Sequence, residues 1–286
     1  MKFRFLVPLI AGAFDFVIAS RSLAAGGVVE SMKDRENASS PDGRSGRIYE
    51  ERAWLKERAG DFAGAIAEYS AAIRIEPKSG SARYSRGLLY SALGKFNEAI
   101  ADLDVVIKET PKASVYLVRG DAHADAGHAK DALADYDSAI RDAPNSADGN
   151  IVEAKACARK GDYARAAARF DQARRRSPRD DYALNSFAWF KATCPNASVR
   201  NGPEAVQAAL KACEVTKWKD GDTIDTLAAA YAESGDFSQG IKYQMQALAT
   251  RPPTAPDSLS LMQKHLRAYQ AHKPFREEPR LRKSRS

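Results

Sequence analysis

The run Asp121-Ala-His123-Ala-Asp125-Ala-Gly-His128 gathers two carboxylates and two imidazoles into one short stretch, a composition suited to a divalent metal. On a helix Asp121 and Asp125 share a face, but His123 points elsewhere and His128 falls in a glycine turn, so the donors diverge and no metal site is expected. Cys157, Cys194 and Cys213 cannot all pair. Cys194 closes one helix and Cys213 lies well into the next, antiparallel one, about 15 Å away, whereas a disulfide needs Cα atoms within about 7 Å. Three packed thiols and no disulfide are expected. Arg174, Arg175, Arg176 and Arg179 end a helix, where cations complement the dipole. The chain has no phosphate-cradling glycine loop, no His-Glu-x-x-His and no Gly-x-Ser-x-Gly. No catalytic residue and no cofactor are therefore expected, and an enzyme would need a cluster such as Asp222, Asp225 and Glu233.

The elements that position these residues repeat along the chain. GDFAGAIAEYSAAIRIEP from Gly60 aligns with GKFNEAIADLDVVIKETP from Gly94, GHAKDALADYDSAIRDAP from Gly127 and GDYARAAARFDQARRRSP from Gly161, a nearly constant spacing. A further copy, GDFSQGIKYQMQALATRP, starts at Gly235, and a modified unit occupies roughly residues 181–217. Each unit reads as helix, glycine turn, helix and then proline, because Gly accepts the left-handed turn. Pro77, Pro111, Pro144, Pro178 and Pro252 stop the second helix. Small residues recur in the first helices at Ala53, Gly87, Gly120, Ala154, Ala188 and Ala228. The second helices carry Tyr69, Leu103, Tyr136 and Phe170 one turn after an alanine, which gives knobs and gaps for stacking helix pairs.

These residues make the chain resemble tetratricopeptide repeat proteins, whose helix-turn-helix unit recurs with the same period. The stretches AWFKATCP, RNGPEAVQAALKACEVTKWKD and DTLAAAYAESGDF resemble a paired-repeat ending seen in many bacterial members of that family. The resemblance implies an all-α, right-handed superhelix of about six units over residues 46–255, closed by a capping helix over 256–275 that covers the last apolar face. It also implies a concave groove lined by first helices. Carried onto this sequence, the groove residues are Trp54, Tyr84, Leu88, Leu117, Asp121, Ile151, Lys155, Arg159 and Trp189. Trp54, Tyr84, Leu88, Leu117 and Ile151 would form an apolar stripe, the mark of a contact surface. The basic clamp with which some members grip a peptide carboxylate is missing, since its places hold Glu50, Trp54, Ser85, Ser114 and Val118.

The ends carry other signals. Lys2 and Arg4, the apolar run from Phe5 to Phe14 and the small residues of Ser22-Leu23-Ala24 read as an export signal over residues 1–24, cut near Ala24, with an uncleaved amphipathic or anchoring N-terminus as the alternative because Asp15 interrupts the apolar stretch. Residues 25–45 read as a flexible linker and 276–286 as a disordered basic tail. The formal charge of +7 is spread along the chain, and without a reading module it does not signal nucleic acid. The expected product is a periplasmic or secreted scaffold that binds a protein or peptide in its groove, with neither nucleic acid nor stable membrane insertion after signal removal. An accessory subunit of an envelope enzyme or assembly machine is the alternative, and self-association is open.

Overall fold

A computed structural model describes residues 46–250, 256–279 and 281. The export signal, the linker and Pro252 lie outside the described residues. Among the described residues there are thirteen α-helices, one 3-10 turn and no strand. Six pairs follow one another: α1 (Gly46–Arg58) with α2 (Phe62–Ile75), α3 (Gly80–Ala92) with α4 (Phe96–Glu109), α5 (Ala113–Ala126) with α6 (Ala129–Arg141), α7 (Ala147–Lys160) with α8 (Tyr163–Arg176), α9 (Asp181–Thr193) with α10 (Gly202–Val215), and α11 (Gly221–Glu233) with α12 (Phe237–Thr250). Helix α13 (Pro256–Gln270) closes the array. The longest helix among the described residues has 15 residues, and none of these helices is long and apolar enough to cross a membrane.

Local chemistry explains the breaks. Gly60, Gly94, Gly127, Gly161 and Gly235 all adopt φ between 72° and 87°, the left-handed turn in which a Cβ is costly. Three of them precede an aspartate that caps the next helix. Asp61, Asp162 and Asp236 accept from the backbone N–H of Gly64 at 2.8 Å, Arg165 at 3.1 Å and Gln239 at 3.0 Å, which satisfies one orphan donor of each first turn.

The small-residue column is where helices of a pair approach closest. A Cβ on Gly120 would lie 2.8 Å from the Tyr136 ring, and one on Gly87 would lie 3.2 Å from Leu103. Ala53, Ala154, Tyr69, Leu103, Tyr136 and Phe170 are all buried. Beside this column runs a second one, of charge. Arg52 meets Glu68 at 3.0 Å, Arg86 meets Asp102 at 2.7 Å and Arg119 meets Asp135 at 2.6 Å. In the fourth pair the signs are exchanged, and Glu153 meets Arg169 at 2.9 Å. Each of these ion pairs joins a first helix to its second at the same interval in the chain. In the fifth and sixth pairs the column turns apolar, with Phe187 buried near Ala208 and Leu227 near Tyr243.

First helices of successive pairs also touch one another, whereas the second helices stay further apart. The array therefore curves with its first helices inside. It is an all-α solenoid. In the fifth pair a loop replaces the glycine turn. Arg200 holds it by donating to the carbonyls of Cys194 at 2.9 Å and Pro195 at 3.1 Å and to Glu233 on α11 at 2.9 Å. Helix α13 buries Met262, His265 and Tyr269 against the last pair. It ends at Gln270, so the chain up to Phe275 follows the capping helix and is not part of it. His265 Nδ1 lies 3.0 Å from Asp225 Oδ1, to which Gln244 also donates.

One carboxyl of the first pair gives a pH-dependent stability. Glu57 on α1 faces Tyr69, whose hydroxyl donates to it at 3.4 Å, and burial pushes its pKa up to about 7. The folded state then binds an extra proton between pH about 4.5 and about 7, so this stability falls as pH rises through that window. At ~1.4 kcal/mol per pKa unit, and allowing for partial exposure, the loss is roughly 2 kcal/mol. Urea unfolding at pH 5 and pH 8 should show the wild type losing that much more stability than Glu57→Gln, and parallel losses would place the carboxyl in water.

Candidate functional site: the inner face of the array

The inner face brings together some of the side chains expected there and hides others. Trp54, with the Arg58 guanidinium 5.1 Å from its ring, Tyr84, Lys155, Arg159 and Trp189 are partly exposed. Lys155 Nζ donates to the Tyr182 hydroxyl at 2.8 Å and lies 4.8 Å from the centre of that ring. Burial and the neighbouring Tyr182 raise the Tyr84 pKa above the usual phenol value, so curvature brings α3 and α9 within electrostatic reach across two intervening pairs.

Leu88, Leu117, Asp121 and Ile151 are buried and present no free surface. Leu88 packs with Leu103, Val106, Val115 and Val118, Leu117 with Tyr136 and Ala156, and Ile151 with Ala183 and Phe187. Each sits where one first helix meets the next, so the neighbouring pair covers it. Asp121 accepts from the Tyr136 hydroxyl at 2.9 Å and from Arg159 at 3.0 Å. The apolar stripe is thus interrupted: Trp54 and Tyr84 stay partly exposed, whereas its aliphatic residues belong to the core.

The C-terminal half of this face is covered by the chain itself. Beyond α13, His272 adopts φ 54° and its ring stacks on Phe237 at 5.1 Å. The chain then runs back along α9 outside any helix. The Phe275 ring lies 5.9 Å from Trp189 and 4.3 Å from His265. Glu277 accepts from Trp189 Nε1 at 2.8 Å, and its backbone N–H donates to the Thr193 carbonyl at 2.9 Å. Arg276 donates to the Ala192 carbonyl at 3.3 Å and pairs with Glu233. Leu281 packs beside the cluster of Leu117 and Tyr136. Within the segment expected to be a basic tail, Arg276 and Glu277 find partners that composition could not show, in carbonyls at the end of α9 and the Trp189 indole.

A family model, tetratricopeptide repeat, matches residues 51–114 and 117–185. The repeats of this chain are tetratricopeptide repeats. Solved structures agree on the fold. A tetratricopeptide repeat protein from Parabacteroides merdae aligns with a TM-score of 0.54 at 15% identity, covering 86% of this chain and 93% of its own. Yeast Tom70 aligns with a TM-score of 0.56 at 16% identity over 91% of this chain. This chain spans about half of Tom70, 52% of its length. The Cut9–Hcn1 hetero-tetramer of the APC/C aligns at 0.55 and 13% identity, over 82% of this chain and 45% of that one. At these identities the likeness speaks for fold alone. No curated protein sequence matches the chain.

The tetratricopeptide array places the reactive residue types as follows. His123 and His128 do converge, with ring centres 5.7 Å apart, and donor atoms of His123, His128 and Asp131 lie within 4.8 Å of one another. The glycine turn folds His128 back over the end of α5, which helical-face reasoning alone did not capture. Asp121 and Asp125 are not in that cluster. Burial lowers the His123 pKa, against the opposing pull of Asp135 and Asp131. Cys157, Cys194 and Cys213 are free and buried, and burial pushes each thiol up to about 11, far from a reactive thiolate. Asp225 and Glu233 serve separate partners, His265 for the first and Arg200 with Arg276 for the second.

Sequence reading missed the charge column and the polar latch under α13. The first had a visible signal. In the aligned repeats the residue before the small one reads Arg, Arg, Arg, Glu, and the residue before the large apolar one (Tyr69, Leu103, Tyr136, Phe170) reads Glu, Asp, Asp, Arg. The latch had none, since Asp225, Gln244 and His265 come from three helices.

Proposed function

We propose that this chain is a binding scaffold whose inner face holds a segment of a protein partner, and that it acts outside the cytoplasm, in the periplasm or as a secreted protein. The observation that carries the reading is the inner face itself: Trp54 and Tyr84 stand partly exposed among charged neighbours, and a non-helical stretch of chain already lies along the rest of it. Partly exposed aromatic residues in a concave surface are the usual energetic anchors of an interface. The peptide- and protein-binding roles of tetratricopeptide proteins point the same way. The compartment rests on the signal-like start at residues 1–24. A binding role is also supported by the buried carboxylates of the helix pairs, which are engaged in ion pairs that hold the pairs together.

Affinity capture from extract of the source cell, with the full chain as bait, tests the reading. A partner enriched by the wild type should fall ~10-fold or more with Trp54→Ala/Tyr84→Ala, at unchanged helix content and melting. Equal capture by both chains would move the interface off the inner face. Capture of the chain's own copies alone would make the surface a self-association site.

A further inference from the structure

We propose that the inner face of the fifth and sixth repeats is a binding site for an extended peptide bearing an aromatic residue and, two positions on, a carboxylate, and that Phe275 and Glu277 of this chain are its resident ligand. The inference rests on the inner-face reading above and names the ligand class for its C-terminal half.

Three kinds of contact define the site. The first is to main-chain carbonyls, and half of it is independent of sequence. The last carbonyls of a helix have no intrahelical partner, and at the end of α9 those of Ala192 and Thr193 are met by the Arg276 guanidinium and the Glu277 backbone N–H. Any extended peptide in this register offers the second of these donors. The second is aromatic: Phe275 lies against Trp189 and His265 at ring distances of 5.9 and 4.3 Å. The third selects charge. Trp189 Nε1 donates to Glu277 Oε1 at 2.8 Å, and the largely buried Arg159 guanidinium feels the Glu277 charge. A carboxylate two residues after the ring thus accepts from the indole and adds a longer-range attraction to Arg159, whose own ion pair is with Asp121, whereas an amide there keeps the hydrogen bond and loses that attraction.

The resident segment packs beside the Tyr269 cluster but is joined to it by a short tether. It leaves α13 through the left-handed turn at His272, belongs to no helix, and is held by side-chain and end-of-helix contacts that a second peptide can reproduce. A short tether supplies a ligand at an effective concentration in the millimolar range. A partner peptide therefore has to compete with the tail, and its apparent affinity is reduced by the fraction of sites the tail fills.

The test uses the full chain and a fluorescent synthetic peptide of residues 273–281, KPFREEPRL. The peptide should bind Phe275→Ala/Glu277→Ala at least ten-fold more tightly than it binds the wild type. A peptide carrying Glu277→Gln should bind that released chain several-fold more weakly, and adding Trp189→Phe to the chain should weaken binding of the unmodified peptide by a similar factor at unchanged melting. If the double substitution unfolds α13, Glu277→Gln alone in the chain supplies the comparison, with a smaller gain in the same direction. Equal binding to released and wild-type chains, no binding to a folded released chain, or indifference to the Glu277 carboxylate would each overturn the proposal. Failure here with partner capture still dependent on Trp54 and Tyr84 would remove the resident ligand and leave the inner-face reading standing. Peptide binding together with capture indifferent to Trp54 and Tyr84 would do the reverse.

Discussion

Gly149→Ala is expected to destabilise the array by about 3 kcal/mol or more, although on an exposed helix the same change stabilises by roughly 0.5–1 kcal/mol. Gly149 lies in the first turn of α7, where its backbone N–H donates to the capping Ser146 hydroxyl at 3.0 Å. A Cβ there would sit 1.7 Å from the Pro144 carbonyl oxygen and 2.7 Å from its carbon. Both are main-chain atoms of the link between α6 and α7, and that carbonyl already accepts from the Ser146 N–H at 2.8 Å. Relief requires moving one repeat against the next, a form of overpacking. Gly80→Ala is the control. It occupies the first position of α3 with open space around its Cβ, so it should be neutral or slightly stabilising. Urea unfolding followed by helical signal separates the two, and equal midpoints for both variants would show that the Pro144–Gly149 approach is loose.

The second large effect belongs to the charge column. Glu153→Arg should cost about 3 kcal/mol, because breaking a buried pair leaves charge uncompensated. Glu153 is nearly buried and meets Arg165 at 2.6 Å and Arg169 at 2.9 Å, so the variant would crowd three cations. Adding Arg169→Asp recreates the polarity of the first three repeats and should recover at least half of the loss. Only the double-mutant cycle isolates the pair, and a double variant no more stable than the single one would show that Glu153 acts through packing instead. The fifth and sixth repeats already show the other solution, with Phe187 and Leu227 in the apolar version of the same column, in keeping with the near-equivalence of buried ion pairs and well-packed apolar replacements.

What could be read from the chain by itself was whatever repeats within it. Turn glycines, stopping prolines and the column of small residues opposite rings are local or periodic, so each copy tests the others, and the structure has the glycines at positive φ and Gly120 against the Tyr136 ring. The charge column was equally legible, since its reversal at Glu153 in the fourth repeat is compensated by Arg169 at the matching place in the second helix. Which inner-face residues stay accessible was decided by tertiary structure. Leu88, Leu117 and Ile151 occupy first-helix positions that face inward in a single repeat, yet superhelical curvature brings the next first helix over them. The same curvature pairs Asp121 with Arg159, 38 residues away, and lays Glu277 on Trp189, 88 residues away. No periodicity encodes such contacts, because they arise from the sum of small rotations between repeats. Patterns one repeat long thus determined the fold, and the stacking of all six decided which part of its surface is free to bind.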